Sequence, residues 1–443
     1  MKARPDNNLI LGSALSVVAY VLLAYFTPRT HYWQLLLLFG LAFAGYALLL
    51  QTKMSLVQGL GLALGFRLIF FAALPQLSDD YYRFIWDGSL VAAGENPYLH
   101  LPLTLINNQA QAIPGISPDL FLRLNSPGYY SVYPPVCQAV FGFAALLGKS
   151  SPLLAVVVMR LVLLGAEAGT LVLLVRLLKS WKKPVEQAGL YAFNPLVIVE
   201  LTGNLHFEAL MAFFLMASLY LIWQGRLHLS AIALGLSIGV KLLPLMFLPF
   251  ILAYLGWRRF LWYGSVTALV VAALFFPFLS LDLVRHFFSS LNLYFQKFEF
   301  NASIYYLFRW LGFRLAGYNL ISLIGPLLSL ATILFICFRA LHQPKDLRRL
   351  PENFLLALSV YLFLAPVVHP WYVTTAVVLA CLGRWRYPLV WSALAVFSYA
   401  AYQTAAYQEN LWLVALEYLL VFATLMLEWN RQRKDLPAAN PVV

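Results

Sequence analysis

Charge is what this chain of 443 residues has least of: Asp, Glu, Lys and Arg together make up 11% of it. A soluble domain carries roughly 25%, so the scarcity excludes a soluble enzyme or a string of soluble domains. Cysteine is nearly absent as well. Cys137, Cys337 and Cys381 lie far apart with no CxxC spacing, which excludes a disulfide framework and a cysteine-ligated metal site. No small-residue cleavage site follows the first apolar run, so residues 9 to 26 are read as a retained helix.

What is present is apolar. Hydrophobic residues make up 62% of the chain and the mean hydropathy is +0.77. They fall in repeated runs of roughly 18 to 25 residues, long enough to cross ~30 Å of hydrocarbon. The fold class expected is therefore an all-α polytopic membrane protein. A formal net charge of +12 could suggest nucleic acid, but the cations are spread through short loops between apolar runs rather than gathered in one patch. That is the positive-inside pattern of a membrane protein, and no nucleic-acid partner is expected.

Placing the basic groups at Lys2/Arg4, Lys53, Lys179/Lys182/Lys183, Arg226, Arg258/Arg259, Lys345/Arg348/Arg349, Arg384/Arg386 and Arg431/Arg433/Lys434 on the cytoplasmic side gives about fourteen transmembrane helices with both termini inside. Two helices, in residues 1–55, precede a catalytic region spanning 56–430, and a basic cytoplasmic tail covers 431–443. Within the catalytic region, 75–133 is a long first extracytoplasmic loop and 282–311 a second outer loop. Residues 134–148 form an apolar run too short to span and are read as a re-entrant or interfacial helix. The break at Lys241-Leu242-Leu243-Pro244 divides 229–256 into a short pair, with one long helix as the competing reading.

This topology collects polar residues on one face. Asp79, Asp80 and Asp87 fall within nine residues beside Arg83, where ionisable groups at a bilayer boundary mark substrate or proton sites. The same face receives Gly94–Tyr98, Tyr133, the Gly203–Glu208 turn with His206 and Glu208, Lys241, Asn301 to Arg309 with Tyr305, and His369 to Tyr372. Carboxylates without a cysteine, a serine-histidine pair or a metal-spaced cluster suit a general base, and separated cations suit an anionic leaving group. Transfer from a phosphate-linked donor to a hydroxyl uses both.

At these residues the sequence resembles a known family. Asp79-Asp80-Tyr81-Tyr82-Arg83-Phe84-Ile85-Trp86-Asp87-Gly88, Gly94-Glu95-Asn96-Pro97-Tyr98 and Tyr133-Pro134-Pro135 are similar to the first outer loop of membrane glycosyltransferases of the GT-C fold. The likeness is to the polyprenol-phosphate-mannose-dependent mannosyltransferases of glycosyltransferase family 87 and to the first mannosyltransferase of GPI-anchor synthesis. Gly203–Glu208, Lys241-Leu242-Leu243-Pro244, Phe300–Tyr306 and His369–Tyr372 continue it over roughly residues 56 to 430. The resemblance implies inverting transfer of a hexose, mannose above all, from a polyprenyl-phosphate donor to a lipid or lipid-linked glycan at the outer side of a membrane, here a bacterial inner membrane. A relative that moves a pentose or aminosugar to lipid A or a glycan is the alternative within the fold. A flippase for a lipid-linked glycan is the alternative outside the enzyme class.

The GPI-related enzymes carry an Asp-x-Asp motif. Anchoring on Pro97-Tyr98 puts its second acid on Asp80 and Ser78 at the first, so Asp80 is the expected base with Asp79 beside it. Lys241, His369, Arg83 and Arg309 are expected at the donor phosphate; His206, Glu208, Asp87, Tyr133, Asn301, Tyr305 and Tyr372 are expected at the acceptor or cavity wall. Plainer readings stand beside these: Asp79 and Asp80 as helix caps, Asp87 as a helix acid paired with Arg83, Lys241 snorkelling, Arg309 as an interfacial anchor and Asn301-Ala302-Ser303 as a glycosylation sequon. Side chains can neutralise a single-phosphate leaving group, so no cofactor or obligatory metal is expected. Sugar transfer by the purified enzyme should therefore persist in excess chelator; loss on chelation with recovery on adding a divalent cation would contradict this.

Overall fold

The computed structural model of the chain describes residues 7–108, 113–148, 151–286, 289, 298–404 and 407–434. Lys2, Arg4 and the tail beyond Lys434 lie outside the described residues, as does most of 287–297 in the expected second outer loop. The described residues form an all-helical membrane protein. They contain no strand beyond one parallel bridge between Phe300 and Val367.

Six helices are long and apolar enough to cross a membrane: Asn7–Tyr25, Tyr32–Leu49, Pro152–Ser180, Trp257–Phe278, Ile321–Leu341 and Leu411–Arg433. The bent pair Pro195–Gly203 and Glu208–Trp223 makes a seventh if counted as one span. The count of about fourteen finds no support in these lengths. The shortfall lies in the apolar helices Leu56–Leu68, Pro135–Gly148, Leu227–Val240, Leu243–Leu255 and Pro370–Ala380, each of 10–17 residues, below the length that spans alone. The chain does break at Lys241, where extended backbone separates Leu227–Val240 from the turn beginning at Leu243. The expected first outer loop is itself helical, containing Asp80–Ala92, Pro102–Asn108 and Pro118–Leu122.

Local chemistry explains where helices start. Ser55 and Gln58 form a reciprocal capping box, and Ser151 accepts from the Leu154 N–H ahead of Pro152 at the first turn, both of which satisfy donors that a helix start leaves open. The Pro152–Ser180 helix is the central post, since 56% of its apolar window is buried against 11% for Trp257–Phe278.

Two buried arginines tie this post to its neighbours. Arg67 Nε donates to Glu167 Oε2 at 2.5 Å, while Arg67 Nη1 donates to the carbonyls of Ala63 and Ala192. Arg160, with no exposed surface, donates from Nε to Thr202 O (2.8 Å), from Nη1 to Phe71 O (2.9 Å) and Ala73 O (2.7 Å), and from Nη2 to Gly203 O (2.9 Å). Those carbonyls belong to two helix ends: the turn after Leu56–Leu68 and the π-helical turn Ile198–Gly203. Carbonyls freed inside a membrane protein need a donor, and the fully buried Arg160 supplies it. Replacing Arg160 with Met should destabilise the fold by roughly 3 kcal/mol or more, because each buried group left unsatisfied costs about 1–3 kcal/mol; the thermal midpoint in detergent measures it.

Candidate active site

The acidic segment enters the structure as a helix start. Ser78 Oγ accepts a hydrogen bond from the Asp80 N–H at 3.3 Å. Asp79 is the N-cap residue but makes no side-chain capping bond. Its carboxylate is ion-paired with Arg29 from the loop between the first two helices. Asp80, half-buried, accepts from Asn125 Nδ2 at 2.7 Å and forms no ion pair among the described residues.

Farther along the same helix, Arg83 and Asp87 are buried and paired at 2.8 Å. Arg83 Nη1 also donates to the carbonyls of Ser126 and Tyr129, leaving only Nη2 without a partner. Asp87 Oδ2 accepts from Ser131 Oγ at 2.5 Å and Gln138 Nε2 at 3.2 Å. Asp87 does pair with Arg83 four residues away, but as a fully buried acid rather than one on a helix surface, and the pair seats residues 126–131 on the helix. Gly88 brings the Pro135–Gly148 helix close, since a Cβ there would lie 2.3 Å from the Phe141 carbonyl oxygen. Tyr133 packs edge-on against Phe84 and Phe141, and its carbonyl accepts from Tyr98 Oη at 2.6 Å. Burial first, then the neighbouring Asp80 carboxylate, push the Tyr133 phenol well above its ordinary range. A cavity of about 400 Å³ beside this helix is lined by Tyr81, Tyr82, Asp119 and Arg123 among others.

The second element is the sharp turn between Ile198–Gly203 and Glu208–Trp223, whose helix axes differ by 112°. Leu205 takes a left-handed φ of 62° there, and the His206 N–H donates to Glu200 O to close the turn. The Glu200 carboxylate is fully buried and accepts from Tyr399 Oη (2.6 Å) and Asn204 Nδ2 (3.2 Å), with His206 Nε2 at 3.3 Å. Glu208 pairs with Lys241, whose ammonium also sits 3.9 Å from the centre of the Tyr372 ring. An apolar environment requires such a partner for a cation. The Lys241 side chain nevertheless stays 33% exposed, open to a second anion.

The third element is the His369–Tyr372 turn. Trp371 is stacked between two imidazoles, with ring centroids 3.7 Å from His206 and 4.3 Å from His369. The turn is fastened to the segment at 300: the Phe300 N–H donates to Pro366 O, the Val368 N–H donates to Phe300 O, and the Phe300 ring lies 4.8 Å from His369. Asn301 is 1% exposed with a left-handed φ of 46°. Its N–H donates to Glu409 Oε1, its Nδ2 to Glu417 Oε1, and its carbonyl accepts from Tyr418 Oη. This sequon is closed within the fold. Tyr305 is fully buried with its hydroxyl on Glu299, which also pairs with Arg309 beneath the Tyr306 ring.

Direct contacts run from one element to the next. Asp79 meets Arg29, whose guanidinium lies 4.7 Å from the centre of the Tyr402 ring. Tyr402 meets Phe300, Phe300 meets His369, and from His369 the contacts pass through Trp371 to His206 and through Tyr372 to Lys241 and Glu208. Asp79, His206, Glu208, Lys241, His369 and Tyr372 are thus linked through one network of side-chain contacts, with Asp80 next to Asp79 at the start of its helix. Arg309 and Tyr305 sit behind Asn301, joined through Tyr306 and Glu409, and Arg83 and Asp87 are interior. Among the described residues no group of three or more His, Cys, Asp or Glu is placed to hold a metal ion.

Sequence reasoning passed over Arg29, Asn125, Glu409, Tyr399 and Tyr402, and left Glu200 unassigned. Arg29 did carry a signal: it is a lone cation in a loop that the predicted topology places outside, against the positive-inside trend.

The family model described as alpha-(1->6)-mannopyranosyltransferase, N-terminal domain, matches residues 9–256, more than half of the chain. The chain belongs to this family. No curated protein matches it. The protein is therefore a mannosyl glycosyltransferase of the membrane, acting between a sugar donor and a glycan or lipid acceptor. The matched region begins at residue 9, so the first two helices lie inside the part of the mannosyltransferase that the family defines, together with Arg29, the acidic helix, the His206 turn and Lys241.

His369 supplies a test of site electrostatics. Burial first, then the charges of His206 and Lys241, lower its pKa well below 6.5. The imidazole therefore stays neutral in the fold at pH values where the unfolded chain binds a proton. Stability rises with pH wherever the unfolded state holds more protons, so the site should lose stability as pH falls below about 6.5. His369→Gln should show a shallower loss of melting temperature than the native protein across that acid range.

Proposed function

We propose that the protein transfers mannose from a polyprenyl-phosphate donor to a hydroxyl of a lipid or lipid-linked glycan, with inversion, at the extracytoplasmic face of a bacterial inner membrane and with both termini in the cytoplasm. One observation carries the reading: Asp80 heads a packed helix with a carboxylate that accepts from the neutral Asn125 amide and forms no ion pair among the described residues, beside the contact network that reaches the partly open Lys241. A base and a cation in one region of a membrane enzyme suit attack by a hydroxyl on a phosphate-linked sugar.

In the step, the acceptor oxygen gives its proton to Asp80 as its lone pair forms a bond to the anomeric carbon. The bond from that carbon to the phosphate oxygen breaks with its electrons left on the polyprenyl phosphate. Lys241 compensates the departing charge while Glu208 and the Tyr372 ring hold the ammonium in place. The neutral His369 imidazole offers a hydrogen bond there. The α-(1→6) linkage in the family's description bears on stereochemistry: an α product from one inverting step requires a β-linked mannosyl phosphate, and a 1→6 linkage requires a primary hydroxyl as acceptor.

The test incubates purified enzyme with labelled β-mannosyl polyprenyl phosphate, or separately with a nucleotide-linked mannose, in the presence of host lipid extract, and follows which lipid gains mass. Transfer from the lipid donor alone is expected; transfer from the nucleotide sugar alone would overturn the donor class. Asp80→Asn should lower kcat by about 10²- to 10⁴-fold, the usual contribution of a general base, with donor KM near native. Unchanged turnover would sink the base assignment.

A further inference from the structure

The first two helices form an antiparallel hairpin whose connecting loop makes unusual commitments. Arg29 binds the acidic segment twice: its backbone N–H donates to Gln76 O at 3.2 Å, and its guanidinium pairs with Asp79. The guanidinium also covers Tyr402, whose ring packs on Phe300 near His369. Tyr25, at the end of the first helix, donates from Oη to Ile69 O at 2.9 Å, and Gln34 Nε2 ties the start of the second helix back to Phe26 O and Thr27 Oγ1. One loop therefore touches the acidic segment, the turn before it and the aromatic wall opposite.

The two neighbouring acids are treated differently as a result. Asp79 holds the N-cap position without making a capping bond, and its carboxylate pairs with Arg29. The backbone N–H of Asp80 donates to Ser78 Oγ. Asp80 keeps a carboxylate with a neutral partner and, among the described residues, no ion pair. We propose that Arg29 is a positioning residue for sugar transfer: by engaging Asp79 and anchoring residues 76–79, it aims the head of the Asp80–Ala92 helix and leaves the Asp80 carboxylate, with no ion pair among the described residues, to the acceptor hydroxyl. This rests on the reading of Asp80 as the base. It also makes the N-terminal hairpin a working part of the active site rather than an accessory anchor.

The pair is partly open to solvent, with side-chain exposures of 29% and 36%, and exposed pairs of this kind add little to stability. Its loss should register in turnover before it registers in folding. In the full-length enzyme assayed with β-mannosyl polyprenyl phosphate and host lipid extract, Arg29→Gln should lower kcat by about ten- to a hundredfold, the scale of a small displacement of a catalytic group. Donor KM and melting temperature should stay near native, and Arg29→Lys should retain most activity. Arg29→Asp and Asp79→Arg should each be impaired, while the double swap, which restores the pair, should recover most of the lost kcat.

Native kcat in folded Arg29→Gln, or a double swap no better than the worse single variant, would overturn the proposal. So would a raised donor KM at native kcat, which would make Arg29 a donor contact instead. If the single variants do not fold, the double swap decides alone, since it keeps the pair: recovered kcat supports positioning, and a folded but inactive swap removes it. Turnover in Asp80→Asn would instead strike the base assignment, a result separable from any outcome at Arg29.

Discussion

Arg160 sits inside the protein with no ion pair among the described residues, and its guanidinium is balanced by four backbone carbonyls at the ends of two helical segments. Helix ends leave carbonyls open, and in a hydrocarbon setting there is no water to take them up. Breaking helices inside a membrane protein is therefore costly unless a donor is brought in. Arg160 is that donor, delivered by the most buried long helix. It lets the chain turn sharply after Gly203 and after Phe71, and those two turns present the His206–Glu208 and Asp79–Asp80 segments. The polar end of the molecule exists because the interior can accommodate interrupted helices.

From those turns the site grows by pairing each charge with a local partner. Lys241 has Glu208 and an aromatic face, Asp79 has Arg29, and Arg83 has Asp87. The histidines are held by stacking on Trp371 rather than by ion pairs, apart from the approach of Glu200 to His206. Such an arrangement is preorganised: charges that must meet a transition state are already oriented, so little reorganisation accompanies the reaction. Asp80 departs from the pattern, with no ion pair among the described residues, which suits the base role proposed for it.

Much of this was legible in the residues, in uneven ways. Hydropathy revealed the membrane class because composition alone decides it, and the break at Lys241 was visible as a cation beside a proline in an apolar run. The motif order around Asp80, His206 and His369 pointed to a mannosyltransferase, and the family match agrees. The number of spans was not legible, because an apolar run does not reveal whether it folds as one straight helix or as short pieces such as Leu227–Val240 and Leu243–Leu255. Motif spacing favoured Asp80 over Asp87 but did not show that Asp87 is buried. The two acids flank the same aromatic-rich stretch, and only tertiary partners, Ser131 and Gln138 for Asp87 against Asn125 for Asp80, distinguish their surroundings. Arg29 and Glu200 were hidden for a similar reason: their partners lie 50 and 199 residues away in sequence.

The absence of a side chain at Gly88 has a mechanical meaning. With the Phe141 carbonyl oxygen 2.3 Å from where a Cβ would stand and the Phe84 and Phe141 rings stacked at 4.6 Å, the Asp80–Ala92 and Pro135–Gly148 helices have no room to slide or roll past each other. They pack as one body, so on the proposed reading of Asp80 as the base it is the acceptor, not the helix, that travels to bring a hydroxyl to the carboxylate. For the lipid acceptor proposed above, the reach from its anchor to that oxygen then becomes a ruler for which acceptors are long enough to be used.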